Sequence, residues 1–254
     1  MKYIILFFFI FIFTIISCVS EVIESPAVEK NLLRKIYSSP DNYTEYFYNT
    51  SNKIIIVKSY HKLPTGEVFE METKYEYDSN GNVIKEIIFS TMAGVPQYSY
   101  LSYEYNEKGL ISKTYAYLKM SDENYELRST TKYEYDNYNR LSKTRIFSPD
   151  NIERKVTELF YDTNGNVIET NFYQEGNLSF NDKYEYDNMI NPLRQNIAGP
   201  SVYTISKNNP IKNISTNFMM GNDSSIIEFK FEYNSESYPI SYSYDFHKFY
   251  FEYY

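Results

Sequence analysis

A tyrosine pair running into Asp or Asn and then a turn recurs along this chain. It reads Tyr46-Phe47-Tyr48-Asn49, Tyr75-Glu76-Tyr77-Asp78, Tyr103-Glu104-Tyr105-Asn106, Tyr133-Glu134-Tyr135-Asp136, Phe160-Tyr161-Asp162, Tyr184-Glu185-Tyr186-Asp187 and Phe231-Glu232-Tyr233-Asn234. The tyrosine before the turn stands at 48, 77, 105, 135, 161, 186 and 233, at intervals of 29, 28, 30, 26, 25 and 47. Self-similarity at a near-fixed period means one supersecondary unit copied and stacked. A unit of that length holds one turn, two strands and a return loop. Turn residues place the return loops near Ser90 to Val95, Met120 to Asn124, Ser148 to Ile152 and Gln174 to Asn177. The 47-residue interval breaks the rhythm and calls for an extra hairpin or an edge-covering loop. Thirty Tyr and eighteen Phe beside eight Gly suit strands, since aromatics favour a pleated, half-buried surface. Helical periodicity is weak and confined to Val28 to Tyr37, a short helix at most.

One turn can be read closely. Asp78-Ser79-Asn80-Gly81-Asn82 suits a type I turn closed by a glycine bulge, with Gly81 left-handed and Asp78 capping. Asp162-Thr163-Asn164-Gly165-Asn166 repeats it, while Gly109 and Asn139 hold the same slot in other units. Pairing Asp78 with Asn82 sets Tyr77 against Val83, Glu76 against Ile84 and Tyr75 against Lys85. Tyrosines then share the core face and glutamates the water face, as in a one-sided antiparallel sheet. In this register Lys85, Lys113 and Lys143 join Tyr75, Tyr103 and Tyr133 on the tyrosine face. Their stems can lie along the rings while the amines reach a rim, or the six can line a cationic, aromatic binding groove. The fourth repeat puts Glu169 at that place.

The start of the chain gives an address. After Lys2, Tyr3 to Ile16 is almost unbroken apolar sequence, too short to span a bilayer as a helix and suited to a secretory signal. Ile15-Ile16-Ser17-Cys18 resembles a bacterial lipobox, and Cys18 is the single cysteine. The resemblance implies cleavage after residue 17 and fatty acylation of Cys18; a signal cleaved elsewhere or an uncleaved anchor are the alternatives. The organisation expected is a signal peptide at 1–17, a lipidated Cys18 and tether through 39, and a hairpin-repeat domain at 40–254. Lipidation leaves no thiol for disulfides or catalysis. The chain carries a formal charge of −8 and no basic run, which argues against nucleic acid and leaves the lipid as the membrane contact.

The Tyr-x-Tyr-Asp-x-x-Gly-Asn pattern resembles the YD repeats of the Rhs and Tc toxin families and of teneurins, over about residues 46 to 250. In that family the hairpins form a long antiparallel sheet spiralling into a shell, often around cargo. This chain is too short for a large shell and has no downstream cargo domain, so the toxin role is not implied. Residues from Asn191-Pro192-Leu193 through Tyr238-Pro239-Ile240 are similar to bacterial envelope lipoproteins of gut anaerobes. The expected fold is all-β: an antiparallel meander of 13 to 15 strands in tandem hairpins, curled into a spiral or barrel-like half-shell. Its buried tyrosines need hydrogen-bond partners, so a tyrosine–lysine–carboxylate network is expected inside.

Sequence signatures of enzymes and cofactors are lacking. His61 and His247 stand alone, and no nucleophile elbow, phosphate loop or dinucleotide fingerprint occurs. Asp78 to Phe89 fails the calcium-loop pattern, which needs glycine sixth and glutamate twelfth. Glu76, Glu104, Glu134, Glu185 and Glu232 recur and could pair for glycoside hydrolysis, but a row of glutamates on a sheet surface is simply solvated. No cofactor or metal is expected. The reading is a non-enzymatic envelope lipoprotein, at the outer membrane or cell surface, that binds a glycan or protein through its concave face or sheet edge. A scaffold without a small ligand is the alternative, and a carboxylate hydrolase the remoter one.

Overall fold

The computed structural model describes residues 31–92, 94–121, 124–194 and 200–254, with the backbone alone for 92 and 121. Cys18, the signal and most of the tether lie outside these residues. Seventeen strands follow in order: β1 (Leu33–Ser39), β2 (Asn42–Tyr48), β3 (Ile54–Lys62), β4 (Val68–Tyr77), β5 (Val83–Met92), β6 (Val95–Tyr105), β7 (Ile111–Ser121), β8 (Asn124–Tyr135) and β9 (Leu141–Phe147). After them come β10 (Glu153–Tyr161), β11 (Val167–Gln174), β12 (Asn177–Tyr186), the short α1 (Val202–Ile205), β13 (Pro210–Asn217), β14 (Asp223–Glu228), β15 (Lys230–Tyr233), β16 (Pro239–Tyr244) and β17 (His247–Tyr253).

Antiparallel ladders join each strand to the next from β1 to β14, then β15 to β16 and β16 to β17. A further ladder between β1 and β17 closes the ring. Only β14 and β15, which run on from one another across Phe229, lack a ladder between them among the described residues. The product is a nearly closed meander barrel with one unsealed seam. The all-β expectation holds, and curling goes further than a half-shell. Two expectations change. The barrel begins at Leu33, inside the stretch read as tether, and Leu33 to Tyr37 of the weak helical segment belong to strand β1. Closure explains why: Ile36 and Tyr37 pair with Phe251 and Tyr250, and only an extended β1 offers both edges to its neighbours.

The repeated turns form as the sequence indicates. At 78–82 the Asp78 amide donates to the Asn82 carbonyl at 2.9 Å and the Gly81 amide to the Asp78 carbonyl at 3.0 Å. Asp78 Oδ1 accepts the amides of Asn80 and Asn82. Gly81 sits at φ +81°, which an L side chain resists, and Asn139 takes the slot at +60°.

Past each turn the register departs from the sequence reading. Tyr77 faces Val83, but Glu76 faces Lys85 and Tyr75 faces Glu86, so Ile84 is an extra residue. This β-bulge recurs at Ile55, Ser112, Ser142, Ile168, Ile211 and Ile240. An extra residue reverses the parity of the strand beyond it. Lys85, Lys113 and Lys143 therefore leave the tyrosine face and lie opposite Glu76, Glu104 and Glu134. Glu86, Thr114 and Thr144 replace them inside. The expected interior network consequently contains tyrosines and carboxylates but not these lysines.

The bulge also brings each turn tyrosine over the carbonyl that opens the preceding return strand. Tyr48 donates to Leu33 O at 2.8 Å, Tyr105 to Val83 O at 2.7 Å, Tyr135 to Ile111 O at 2.8 Å, Tyr161 to Leu141 O at 2.8 Å and Tyr186 to Val167 O at 2.7 Å. Tyr77 makes the same bond to Ile54 O, and Tyr253 to Pro239 O at 2.8 Å. One rim of the barrel is thus latched by hydroxyls. Beneath it lie two buried clusters, Leu33, Tyr46, Tyr48, Ile54 and Val57 on one side and Leu141, Leu159 and Val167 on the other.

Candidate binding site in the lumen

A barrel of this many strands is too wide for wall side chains to fill. Most inward residues are accordingly half-buried, and the space at the latched rim is taken by residues 187–194 and 200–209. They supply a plug. Val202 and Ile205 pack on the second cluster, and Ser206, fully buried, accepts the Val167 amide at 3.2 Å and lies 3.0 Å from the Tyr186 hydroxyl. Amides complete the seal: Asn208 N donates to Asn166 Oδ1 at 2.9 Å and Asn191 Nδ2 to Tyr203 O at 2.7 Å. Tyr233 finds no return-strand carbonyl here and donates to the Asp187 carboxylate instead. The long interval therefore holds the extra hairpin (β13 and β14) raised by the sequence, while its other described residues turn into the lumen instead of covering a sheet edge.

Between plug and wall lies a cavity of 440 Å³. Its wall carries Thr144, Thr157 and Thr170 on successive strands β9 to β11, with Phe172, Phe180, Asp182 and Tyr184 beyond. The plug contributes Pro200, Ser201 and Val202. The pairing Thr144–Thr157–Phe172–Phe180 shows that these side chains share one face across four strands. Phe172 and Phe180 have ring centroids 6.2 Å apart. Asp182 accepts the Tyr184 hydroxyl at 3.3 Å and forms no salt bridge among the described residues. Aromatic faces, a row of hydroxyls and one carboxylate suit a polyhydroxylated ligand, with apolar ring faces against Phe and hydroxyls on Thr and Asp.

The residues singled out from sequence fall in two places. Tyr75, Tyr103 and Tyr133 do face inward: Tyr75 packs on the first cluster and Tyr133 on the second, Tyr103 is buried, and none of the three lines this cavity. Tyr103 donates to Glu86 Oε1 at 2.6 Å, and Tyr133 and Thr114 hydroxyls lie 3.2 Å apart. Burial pushes the Glu86 carboxyl up, against the lowering effect of the Tyr103 hydrogen bond. Burial likewise drives Tyr103 well above the ordinary phenol range. Lys85, Lys113 and Lys143 are outside: Lys85 lies over the Tyr100 ring at 4.6 Å, Lys113 pairs with Glu104 at 3.4 Å and Lys143 with Glu158 at 2.9 Å.

Thr144 and Thr170, missed as site residues, had a signal in the sequence. Thr114, Thr144 and Thr170 each follow the Lys or Glu of the return strand, and once the bulge is placed that position is internal. Glu86 holds the same place in its own repeat and is the one carboxylate among them.

No protein-family model matches the chain, and no curated protein matches it. Among solved structures, the barrel is similar to a porin-like protein from Bacteroides uniformis, with a TM-score of 0.58 and 12% identity over 91% of this chain and 100% of that one. A porin-like protein from Bacteroides vulgatus aligns at 0.39 and 11% over 87% and 97% of the two chains. The Tc holotoxin pore of Photorhabdus luminescens aligns at 0.25 and 10%, over 80% of this chain and 14% of that one. The first alignment defines a shared barrel fold; the other two scores are too low to do so.

Proposed function

We propose that this chain is a non-enzymatic, lipid-anchored envelope protein that binds a glycan in the plugged lumen of its barrel. The lumen cavity carries the reading, because it joins Thr144, Thr157, Thr170 and Asp182 to the rings of Phe172 and Phe180. The outer wall supports attachment by lipid rather than by spanning. A transmembrane barrel needs an outward apolar band about 25 Å tall. Here the outer wall carries the ion pairs Lys58–Glu72–Lys74, Glu104–Lys113, Lys143–Glu158 and Glu134–Arg145–Glu153. Those pairs, with Lys212–Glu185 and Lys248–Glu232, also engage four of the five recurrent glutamates, which weighs against hydrolysis by a free carboxylate pair.

A glycan array followed by titration calorimetry tests the site. Binding should be lost in Phe172→Ala and weakened by about tenfold in Asp182→Asn, the effect of one charged hydrogen bond. A folded monomer that binds no glycan would leave the scaffold reading in its place. Metabolic labelling with a fatty-acid analogue should vanish in Cys18→Ala, and persistent labelling would refute the anchor.

A further inference from the structure

The plug carries a second cavity, of 320 Å³, that shares no residue with the lumen site. It is lined by amides and apolar side chains of residues 188–191 and 208, and by two cations, Arg194 and Lys207. Both cations are exposed. Their situation is unusual for this molecule, which is acidic overall. Among the described residues, every Lys and Arg has an ion pair, hydrogen bond or aromatic ring as partner except Lys183, Arg194, Lys207 and Lys230. Two of these four border one cavity.

The base beneath them is fixed. Asn191 Nδ2 donates to Ser206 O at 3.0 Å as well as to Tyr203 O, and Asn208 Nδ2 to Met189 O at 2.8 Å. The neighbouring acid is already engaged: Asp187 accepts the amides of Met189 and Asn209 at 3.0 and 3.1 Å, Asn209 Nδ2 at 3.3 Å and the Tyr233 hydroxyl. Two like charges line one preformed pocket, and none of its described lining residues is acidic. A bound anion relieves that repulsion, with guanidinium able to grip two oxygens and ammonium acting as a point charge.

We propose that this cavity binds a phosphate group. Its position suggests two sources. Ile190 N donates to Ser237 O at 3.3 Å, and Asn31 Nδ2 to Glu236 Oε2 at 3.0 Å, so the cavity adjoins the turn against which the described chain begins. The lipid source rests on the anchor proposed above: with Cys18 acylated, the described chain begins at this rim, on the membrane side. The phosphate is either a lipid headgroup or a free ion.

Calorimetry on the full chain decides, with inorganic phosphate and with soluble short-chain phosphatidylglycerol as the two probes. At least one should bind, more weakly as salt rises. Arg194→Ala/Lys207→Ala should lose about tenfold or more, as expected for charged hydrogen bonds. Lys183→Ala/Lys230→Ala should bind as the wild type. Binding of phosphate itself identifies a free-ion site, and binding of the headgroup alone a lipid site. The proposal is overturned if neither probe binds, or if the Arg194/Lys207 variant binds undiminished with an unchanged thermal transition.

Discussion

The inner and outer faces of this barrel contain the same pair of groups in opposite circumstances. Inside, Tyr103 donates to Glu86 at 2.6 Å, both side chains buried. Outside, Tyr115 donates to Glu104 at 3.0 Å in water, beside Lys113. Low dielectric strengthens the inner bond and makes its loss costly, while solvent screens the outer one. The inner face is thus a lattice of hydroxyls, carbonyls and a few carboxylates. The outer face is a set of separable ion pairs. Stability should reside in the former and solubility in the latter.

Substitutions can break that contrast, and the largest effect is expected at the closure. Leu33→Ala removes a side chain only 1% exposed, between the closing strand and its neighbours, and should cost about 2–5 kcal/mol in denaturant unfolding. Ile84→Ala, at an exposed bulge, should stay within about 0.5 kcal/mol. Equal costs at the two sites would sink the distinction.

Tyr186→Phe comes next. It strips a hydroxyl from Val167 O and Ser206 Oγ together, and should lose about 1–3 kcal/mol while loosening the plug. Tyr115→Phe, the outer counterpart, should be nearly neutral in the same assay. Gly81→Ala forces a side chain into φ +81° and against the Lys53 amine, for about 1 kcal/mol.

The smallest effects are expected in pH dependence, where the two faces should differ in sign. Burial raises the folded pKa of Glu86, so its contribution is fully present below the unfolded carboxylate pKa and is lost as pH rises through the folded value. Lys143 hydrogen-bonds Glu158 and holds it low, so that contribution is present above the unfolded pKa and is lost as pH falls through the folded value. Stability measured against pH should therefore rise on the neutral side in Glu86→Gln and lose part of its acid sensitivity in Glu158→Gln. Slopes of the same sign for the two differences would contradict the assignment of faces.

Much of this was legible in the sequence. The turns were, because Asp78, Gly81 and Asn139 leave few backbone choices, and tyrosines in and glutamates out followed from alternation. Closure into a 17-strand ring was not, since nothing local marks β1 as the partner of β17. The bulge was missed although its trace was present. Three lysines on a buried face was a physical conflict, and one extra residue per return strand resolves it while exposing Ile84, Ile168 and Ile240. The cavity threonines came to light only with that shift. The plug depends on buried asparagines whose partners lie about 20 to 40 residues away, beyond any periodic signal.

The two ends of the described chain meet: Asn31 N donates to Tyr254 O at 3.3 Å and Tyr254 N to Leu32 O at 3.0 Å. That junction gives the barrel a compass direction. Both ends of the described chain lie at the plugged rim, and the opposite mouth carries the exposed Val95, Met120, Met219 and Phe246 on its lip. It also makes the ring nearly indifferent to where its sequence starts. A circular permutant joined across 254 and 31, and opened at the 148–152 loop, should assemble the same wall.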